Sequence, residues 1–412
     1  MTLVGLAFAY LRDRALNTAL NILLLTLGVG TMVILVLFSS QLGARFERDA
    51  RGVDLVVGAK GSPLQLILSS LYQVDVPTGN IPLSTLAALR RDPTVGRVIP
   101  LAQGDSFRGY RIIGSEPAYI DLYGGRLAAG RIWAAPYETV IGSEVARRTG
   151  ARVGQKFVGS HGLSEGGAEH EHTPFTVTGI LTPTGTVMDR LILTSVESVW
   201  EVHGLGHAEG SAEADHGPAA QNASIRDHQT EPEVTALLVR YRSPLAAVRL
   251  PRFINAQTQL QAAAPAVEIT RLMSLLGVGI EAARGFAVLL IFTSGLSIFV
   301  ALYTALRQRE GDLAMLRVMG AAPAAIFAQV ILEGLALATA GTGLGLALGH
   351  GALALAARAF SQLGEMGLTG LSFDPAEIYI VLGALALGVI AAAIPAARVF
   401  GVDIADTLQK AR

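Results

Sequence analysis

Long uncharged runs dominate the two ends of the chain. No charged residue falls between Arg14 and Arg45, nor between Arg284 and Arg307. A third run, 322–348, is interrupted only by Glu333, and a fourth lies between Glu377 and Arg398. A hydrocarbon core of roughly 30 Å needs about 20 mostly apolar helical residues to cross it. The pattern therefore predicts four membrane-spanning helices over 15–41, 280–305, 322–348 and 376–397. Ahead of the first, Leu3, Leu6, Ala7 and Tyr10 recur at helical spacing before Arg12 and Arg14, which predicts an amphipathic helix over 1–14.

Residues 42–278 alternate differently. "VDLVVGA", "YRIIGSEP", "ETVIGS", "PFTVTGIL" and "VTALLVRY" are rich in β-branched residues and several end in turn formers, so they read as strands. "STLAALRRDPTV" reads as a helix with a Ser N-cap that stops before Pro93, and "SEVARRTGA" as another with a Ser N-cap and also a glycine C-cap. Two stretches, 159–173 and 203–231, hold Gly, Ala, His and acids with almost no large apolar side chain, which predicts loops. The expected fold is an α-helical polytopic membrane protein with four transmembrane helices. A large extracytoplasmic α+β domain is inserted between spans 1 and 2.

Arg12 and Arg14 precede the first span, Arg307, Arg309 and Arg317 fill the loop 306–321, and Arg398, Lys410 and Arg412 follow the fourth. By the positive-inside rule both termini, the loop 306–321 and the tail 398–412 face the cytoplasm, while 42–278 and the connection 349–375 lie outside. The first apolar run is too long for a signal-peptide core and lacks a nearby A-x-A-like site, so it is expected to stay as an anchor.

Composition agrees with this layout. The 412 residues carry a net charge of −1, 51% are hydrophobic and 16% charged, and the mean hydropathy is +0.47. Neutral charge leaves no basic footprint, so no nucleic-acid partner is expected. The chain has no cysteine, which excludes thiolate chemistry. It also has no G-x-x-x-x-G-K-[ST] and no H-E-x-x-H, and no catalytic residue is assigned.

Three features carry candidate chemistry. The stretch "RQREGDLAMLR" places five charges in eleven residues between two oily segments. On a helix from Asp312, Leu313, Met315, Leu316 and Met319 fall within an arc of roughly 160°, with Glu310 and Arg317 outside it, and Gly320 stands where such a helix ends. A helix of this kind lies along the membrane surface or docks into a partner's groove. Glu333 is a carboxylate within a span, costing about 2.5–3.5 kcal/mol on insertion scales, and is expected to bond to a neighbouring span or loop. Seven of the eight histidines (His161, His170, His172, His203, His207, His216 and His228) lie in the two sparsely apolar stretches among acids. Such tracts suit zinc, nickel or copper, although a solvated linker would have the same composition.

"LRVMGAAPAAIFAQVILEG" resembles the signature R-E-I-G-[IL]-L-R-A-[LIV]-G-A-x-x-x-x-I-x-x-x-x-x-x-E of FtsX-like ABC permeases. It agrees at Leu316, Arg317, Gly320, Ala321, Ile326 and Glu333, and departs at Asp312 and Ala314. "IPAARVFGVDIADTLQ" is similar to that family's C-terminal pattern. "RGYRIIGSEPAYIDLYGGRLAAGR" with "VIGSEVARRTGARVGQKF" resembles the outer domain of MacB-type exporters and lipoprotein-releasing permeases. The resemblance implies a permease of the bacterial inner membrane without its own ATPase. It would work as a dimer with a second copy or a paralogue, on cytoplasmic ABC ATPase subunits that bind ATP. Glu310, Asp312, Leu313, Leu316, Arg317 and Gly320 would form the coupling helix. The outer domain would act on a periplasmic or membrane-derived cargo, with a periplasmic lipoprotein or adaptor as a further partner. The alternatives left open are regulation of a cell-wall hydrolase without transport, and a zinc-linked role for the histidine stretches.

Overall fold

The computed structural model describes residues 3–160, 174–202, 231–309, 311, 315, 317–360, 363 and 367–397. The chain divides into two compact units, Arg45–Met273 and the remainder, Met1–Ala44 with Ser274–Arg412.

The unit Arg45–Met273, called the outer unit after its expected side of the membrane, is built on a ten-stranded sheet, counted among the described residues. Its strands are β1 (Leu55–Ala59), β3 (Val95–Phe107), β4 (Tyr110–Ser115), β5 (Leu127–Gly130), β6 (Glu138–Ile141), β7 (Lys156–Phe157), β8 (Phe175–Leu181), β9 (Ile192–Thr194), β11 (Ala236–Tyr241) and β12 (Leu260–Ala263). The order is β12-β1-β11-β3-β4-β9-β6-β8-β5, with β7 on β8. β2 (Ile81–Pro82) and β10 (Glu233–Val234) form a separate pair. Most neighbours are antiparallel; β4 with β9 and β6 with β8 are parallel.

Side chains on a strand alternate between faces, and β11 shows why both faces are covered here. Ala236 and Leu238 join one cluster with Leu66, Ile67, Tyr119 and Ile120, from the helices Pro63–Ser70 and Ala118–Leu122. Leu237 and Val239 join another with Leu86, Leu89, Val199, Leu250 and Ile254, from Ser84–Arg91, Val196–Val202 and Pro244–Gln257. A sheet buried on both sides reads as a continuous apolar run rather than an alternation, as "ALLV" does.

Two capping expectations are corrected. Ser84 lies inside its helix, the N-cap is Leu83, and no side chain caps it. The Ser84 N–H is instead met by the Glu231 carboxylate at 3.3 Å. Likewise the helix Ser143–Thr149 is preceded by Gly142 as N-cap, without a side-chain bond. Its C-cap is Gly150 at φ 71°, the left-handed conformation that closes a helix at glycine.

Four helices among the described residues are long and apolar enough to cross a membrane: Ala15–Asp49, Pro265–Gln308, Pro323–Ala359 and Glu377–Ala397. Three of them outrun the apolar stretches of the sequence, because the helical hydrogen-bond ladder continues until a breaker or a cap stops it. A short helix, Leu3–Asp13, precedes them. The third long helix packs on the first through Gly341, Gly345 and Gly349. A Cβ at these positions would lie 2.9, 2.7 and 2.7 Å from Leu25, Val29 and Val33. Small residues at four-residue spacing let helix backbones approach closely where no hydrophobic effect drives association. Asn21 and Ser297 tie the first and second helices, Oγ to Oδ1 at 2.5 Å.

Candidate coupling segment and buried carboxylate

Glu333 sits on the first half of the third long helix and is 5% exposed. Gln329, one turn earlier, donates from Nε2 to its Oε1 at 3.3 Å. Arg309, just beyond the second long helix, brings Nη1 to 3.9 Å of the same oxygen, an ion pair without hydrogen-bond contact. The Arg309 guanidinium in turn lies 3.5 Å from the ring centroid of Tyr10, on the N-terminal helix. Arg14 donates to Gln308 Oε1. Three elements thus meet around one carboxylate: the N-terminal helix, the end of the second long helix and the start of the third.

The spaces beside Glu333 are small. One, of about 10 Å³, is lined by Tyr10, Arg309, Gln329 and Glu333. Another, of about 30 Å³, reaches Arg14, Asn17 and Asn21. A water molecule needs at least about 10–15 Å³ measured this way. These spaces admit one or two waters.

Between Arg309 and Pro323 the described residues include Met315, Arg317, Val318, Met319 and Gly320. Met315, Val318 and Met319 are 60, 65 and 73% exposed. Gly320 has φ 98°, a conformation that disfavours any residue with a Cβ, and its N–H bonds to the Arg317 carbonyl at 3.1 Å. Glu310, Asp312, Leu313 and Leu316 lie outside the described residues. So do all seven histidines, from His161 to His228. Among the described residues no group of three or more His, Cys, Asp or Glu is placed to hold a metal ion.

Two further junctions were not anticipated. His350 accepts or donates at both ring nitrogens, Nδ1 to the Gly370 carbonyl at 2.8 Å and Nε2 to Glu377 Oε2 at 2.9 Å. Gln41 and Thr369 exchange two bonds of 2.9 Å. Together these hold the connection between the third and fourth helices. The second junction is the last turn of the first long helix, inside the outer unit. Asp49 is 1% exposed; its Oδ1 accepts the Val187 N–H at 2.9 Å, and its carbonyl accepts the Tyr123 hydroxyl at 2.9 Å. Phe46 meets the Tyr72 ring edge-on at 4.7 Å, and its carbonyl takes the Tyr72 hydroxyl at 3.1 Å. A polar residue ending a long apolar helix was the available signal for Asp49; nothing local marked Val187 as its partner.

Residues 18–247 match the family described as the MacB-like periplasmic core domain, and residues 284–404 the FtsX-like permease C-terminal family. Among curated proteins none matches. Several solved structures are similar, among them the following two. The periplasmic region of MacB from Actinobacillus actinomycetemcomitans is 11% identical, with a TM-score of 0.35, over 55% of this chain and 95% of that one. The extracellular domain of the noncanonic ABC-type transporter YknZ from Gram-positive bacteria is 12% identical, with a TM-score of 0.30, over 51% of this chain and 98% of that one.

Proposed function

This chain belongs to the family of MacB- and FtsX-type ABC transporter permeases, and we propose that it transmits ATP-driven motion from a separate ATPase subunit to its outer unit. The family implies that ATP is used by a partner subunit. The observation that carries the reading is the exposed row Met315, Val318 and Met319, set between charged residues directly ahead of the third long helix. An apolar row this exposed on a short charged segment fits the groove of a partner protein. Glu310, Asp312, Leu313, Leu316 and Arg317 would complete that contact, and Gly320 would turn the chain into the third helix.

Continuity of two helices supports the second half of the proposal. Ala15–Asp49 and Pro265–Gln308 each run without interruption from the apolar bundle into residues of the outer unit. Movement imposed on the bundle by two ATPase subunits closing on nucleotide would be carried by these helices. In this reading the permease works as a dimer in the inner membrane with both termini cytoplasmic, and the outer unit exports or releases a periplasmic or membrane-derived cargo. The paucity of space around Glu333 favours motion over conduction, and Glu333 itself would be a structural partner of Arg309.

The test is to change Leu316 or Met319 to Asp and to reconstitute the permease with its ATPase in lipid nanodiscs. The expected result is normal insertion, with nucleotide no longer altering distances between spin labels in the outer unit. Unaltered nucleotide-dependent distances in both variants would refute the docking role.

A further inference from the structure

The connection between the third and fourth long helices is held by a histidine set between two acceptors. His350 Nδ1 is 2.8 Å from the Gly370 carbonyl, and Nε2 is 2.9 Å from Glu377 Oε2. A carbonyl oxygen only accepts, so Nδ1 must carry a hydrogen. An ionised carboxylate also only accepts, so the second contact needs a hydrogen of its own, on Nε2 or on Oε2. A neutral imidazole has one N–H to offer. Beside a carboxylate it satisfies one of the two bonds and turns a lone pair toward oxygen in the other. The observed geometry therefore holds one proton more than a neutral histidine and an ionised glutamate carry between them.

The surroundings keep Glu377 in its charged form and place that proton on the ring. Just ahead of the fourth helix, Glu377 Oε1 accepts the Asp374 N–H at 2.8 Å, and Asp374 Oδ1 accepts the Ala376 N–H at 2.8 Å, reciprocal bonds of the capping-box kind. A negative side chain is favoured at the start of a helix. The His350 ring packs on Phe373 with centroids 4.6 Å apart, a contact that suits a cation. Both partners are shielded, the His350 side chain at 14% and that of Glu377 at 6% exposed, so water does not readily replace a lost bond. The backbone fits as closely: a Cβ at Gly370 would strike the His350 carbonyl. Next to it, Thr369 exchanges its two bonds with Gln41 of the first helix. Other charged groups on the surrounding elements are engaged elsewhere or exposed. Arg358, two turns further along the third helix, is exposed, and Glu365 of the connection lies outside the described residues. On the first helix Arg45, one turn beyond Gln41, pairs with Asp49, and on the second Glu281 and Arg284 pair with each other.

We propose that His350 and Glu377 form a proton-binding site that clasps the connection 367–376 to the third helix. The clasp is closed while Nε2 carries its proton; when that proton passes to water or buffer, the Nε2 lone pair faces the Glu377 carboxylate and the two separate. Closure requires the proton, so clasping is complete at low pH and is lost as pH rises. Only the further step, that an open clasp changes ATP-driven motion through Gln41 and the first helix, rests on the proposed function; proton binding itself requires neither ATP nor the ATPase.

The experiment is hydrogen exchange of the full chain in lipid nanodiscs, read on peptides covering 367–376, with each rate divided by the intrinsic rate at the same pH. Protection should fall at least about tenfold between about pH 5 and about pH 8, the scale of one charge-assisted hydrogen bond across the histidine range. Glu377→Gln should stay protected throughout, because its amide donates to a neutral Nε2 while its oxygen still takes the Asp374 N–H. His350→Ala should be unprotected throughout. Peptides from 323–345 should exchange alike in all three chains, which shows that the helix bundle is intact. Protection of the natural chain that ignores pH, a fall that persists in Glu377→Gln, or protection retained in His350→Ala would each overturn the proposal. So would a Glu377→Gln chain that is unprotected at every pH while 323–345 remains protected. Loss of nucleotide-driven motion with this titration intact would count against the coupling proposal alone.

Discussion

Replacing Asp49 with alanine is expected to loosen the last turn of the first long helix within the outer unit, and the size of the effect follows from what the side chain touches. Its Oδ1 is the acceptor for the Val187 N–H, and Val187 is 1% exposed, so no water can take the place of the lost oxygen without local opening. A buried donor left unmet costs about 1–3 kcal/mol. Its Oδ2 lies 3.4 Å from Nε of Arg45, whose side chain is 12% exposed and would lose its counter-charge. Removing one partner of a fully buried pair costs about 3–5 kcal/mol, but Arg45 retains some access to solvent, and the two losses overlap. About 3 kcal/mol is a reasonable total, and at 1.4 kcal/mol per factor of ten it corresponds to roughly a hundredfold. The assay is hydrogen exchange on peptides covering 186–191 and 45–51 in the full chain. Exchange at Val187 should accelerate by roughly five- to a hundredfold in Asp49→Ala. Asp49→Asn keeps an oxygen for Val187 and should accelerate it less. Unchanged exchange in the alanine variant would show that the bond does not hold the helix end, and the reasoning would fail.

Gly345→Ile should separate the first and third helices and lower the detergent melting temperature, since overpacking costs about 1–3 kcal/mol. Gly343→Ile, where a Cβ meets nothing within 4 Å, should be tolerated, and equal melting of the two variants would refute the packing account. Glu138 is held to a pKa of about 2, first by its bonds to Arg131 and then by the Ala134 N–H at 2.7 Å. Its folded value lies below its unfolded one, so its contribution is complete above about pH 4.5 and is lost as pH falls toward 2. Glu138→Gln should accordingly flatten the acid limb of outer-unit stability in denaturant titrations between those values. Gly320→Val forces a branched side chain to φ 98° at a cost of about 1–2 kcal/mol or more, and should weaken nucleotide-driven motion without reducing membrane insertion. Zinc titrated calorimetrically into the full chain is expected to bind at micromolar or tighter affinity, and to lose that binding when His161, His170, His172, His203, His207, His216 and His228 are changed to Ala. Equal binding in both would return those stretches to linkers.

The four long helices were legible because charge is nearly excluded from hydrocarbon: Arg14 and Arg45 bracket the first apolar run, Arg284 and Arg307 the second, and Glu377 and Arg398 the fourth, while the third holds Glu333 alone. Their ends were not. Helical backbone bonding persists through Arg45–Asp49 and Pro265–Arg284, where apolar composition gives no further guidance. β3 escaped notice because its 13 residues include Gly96, Pro100 and Gly104 and keep no alternation. Short strands such as β9 and β12 hold too few residues to show a period. Glu333 was conspicuous as the one charge in its apolar run, whereas Asn21 and Ser297 bond across helices without altering hydropathy. The spacing of Gly341, Gly345 and Gly349 was available as a small-residue motif and reads clearly once Leu25, Val29 and Val33 are seen against it.

The second long helix has 44 residues, and at about 1.5 Å per residue it is a rod of about 66 Å. If the proposed function holds, such a rod would be a lever arm. Tilted by about 5° around one end, it sweeps the other through about 6 Å, slightly more than the pitch of the helix itself. A small angular change at the pivot would become, at the tip, a stroke the width of a peptide strand. A long helix of this kind would trade force for distance, and the gain would be set by how many residues it runs before it stops.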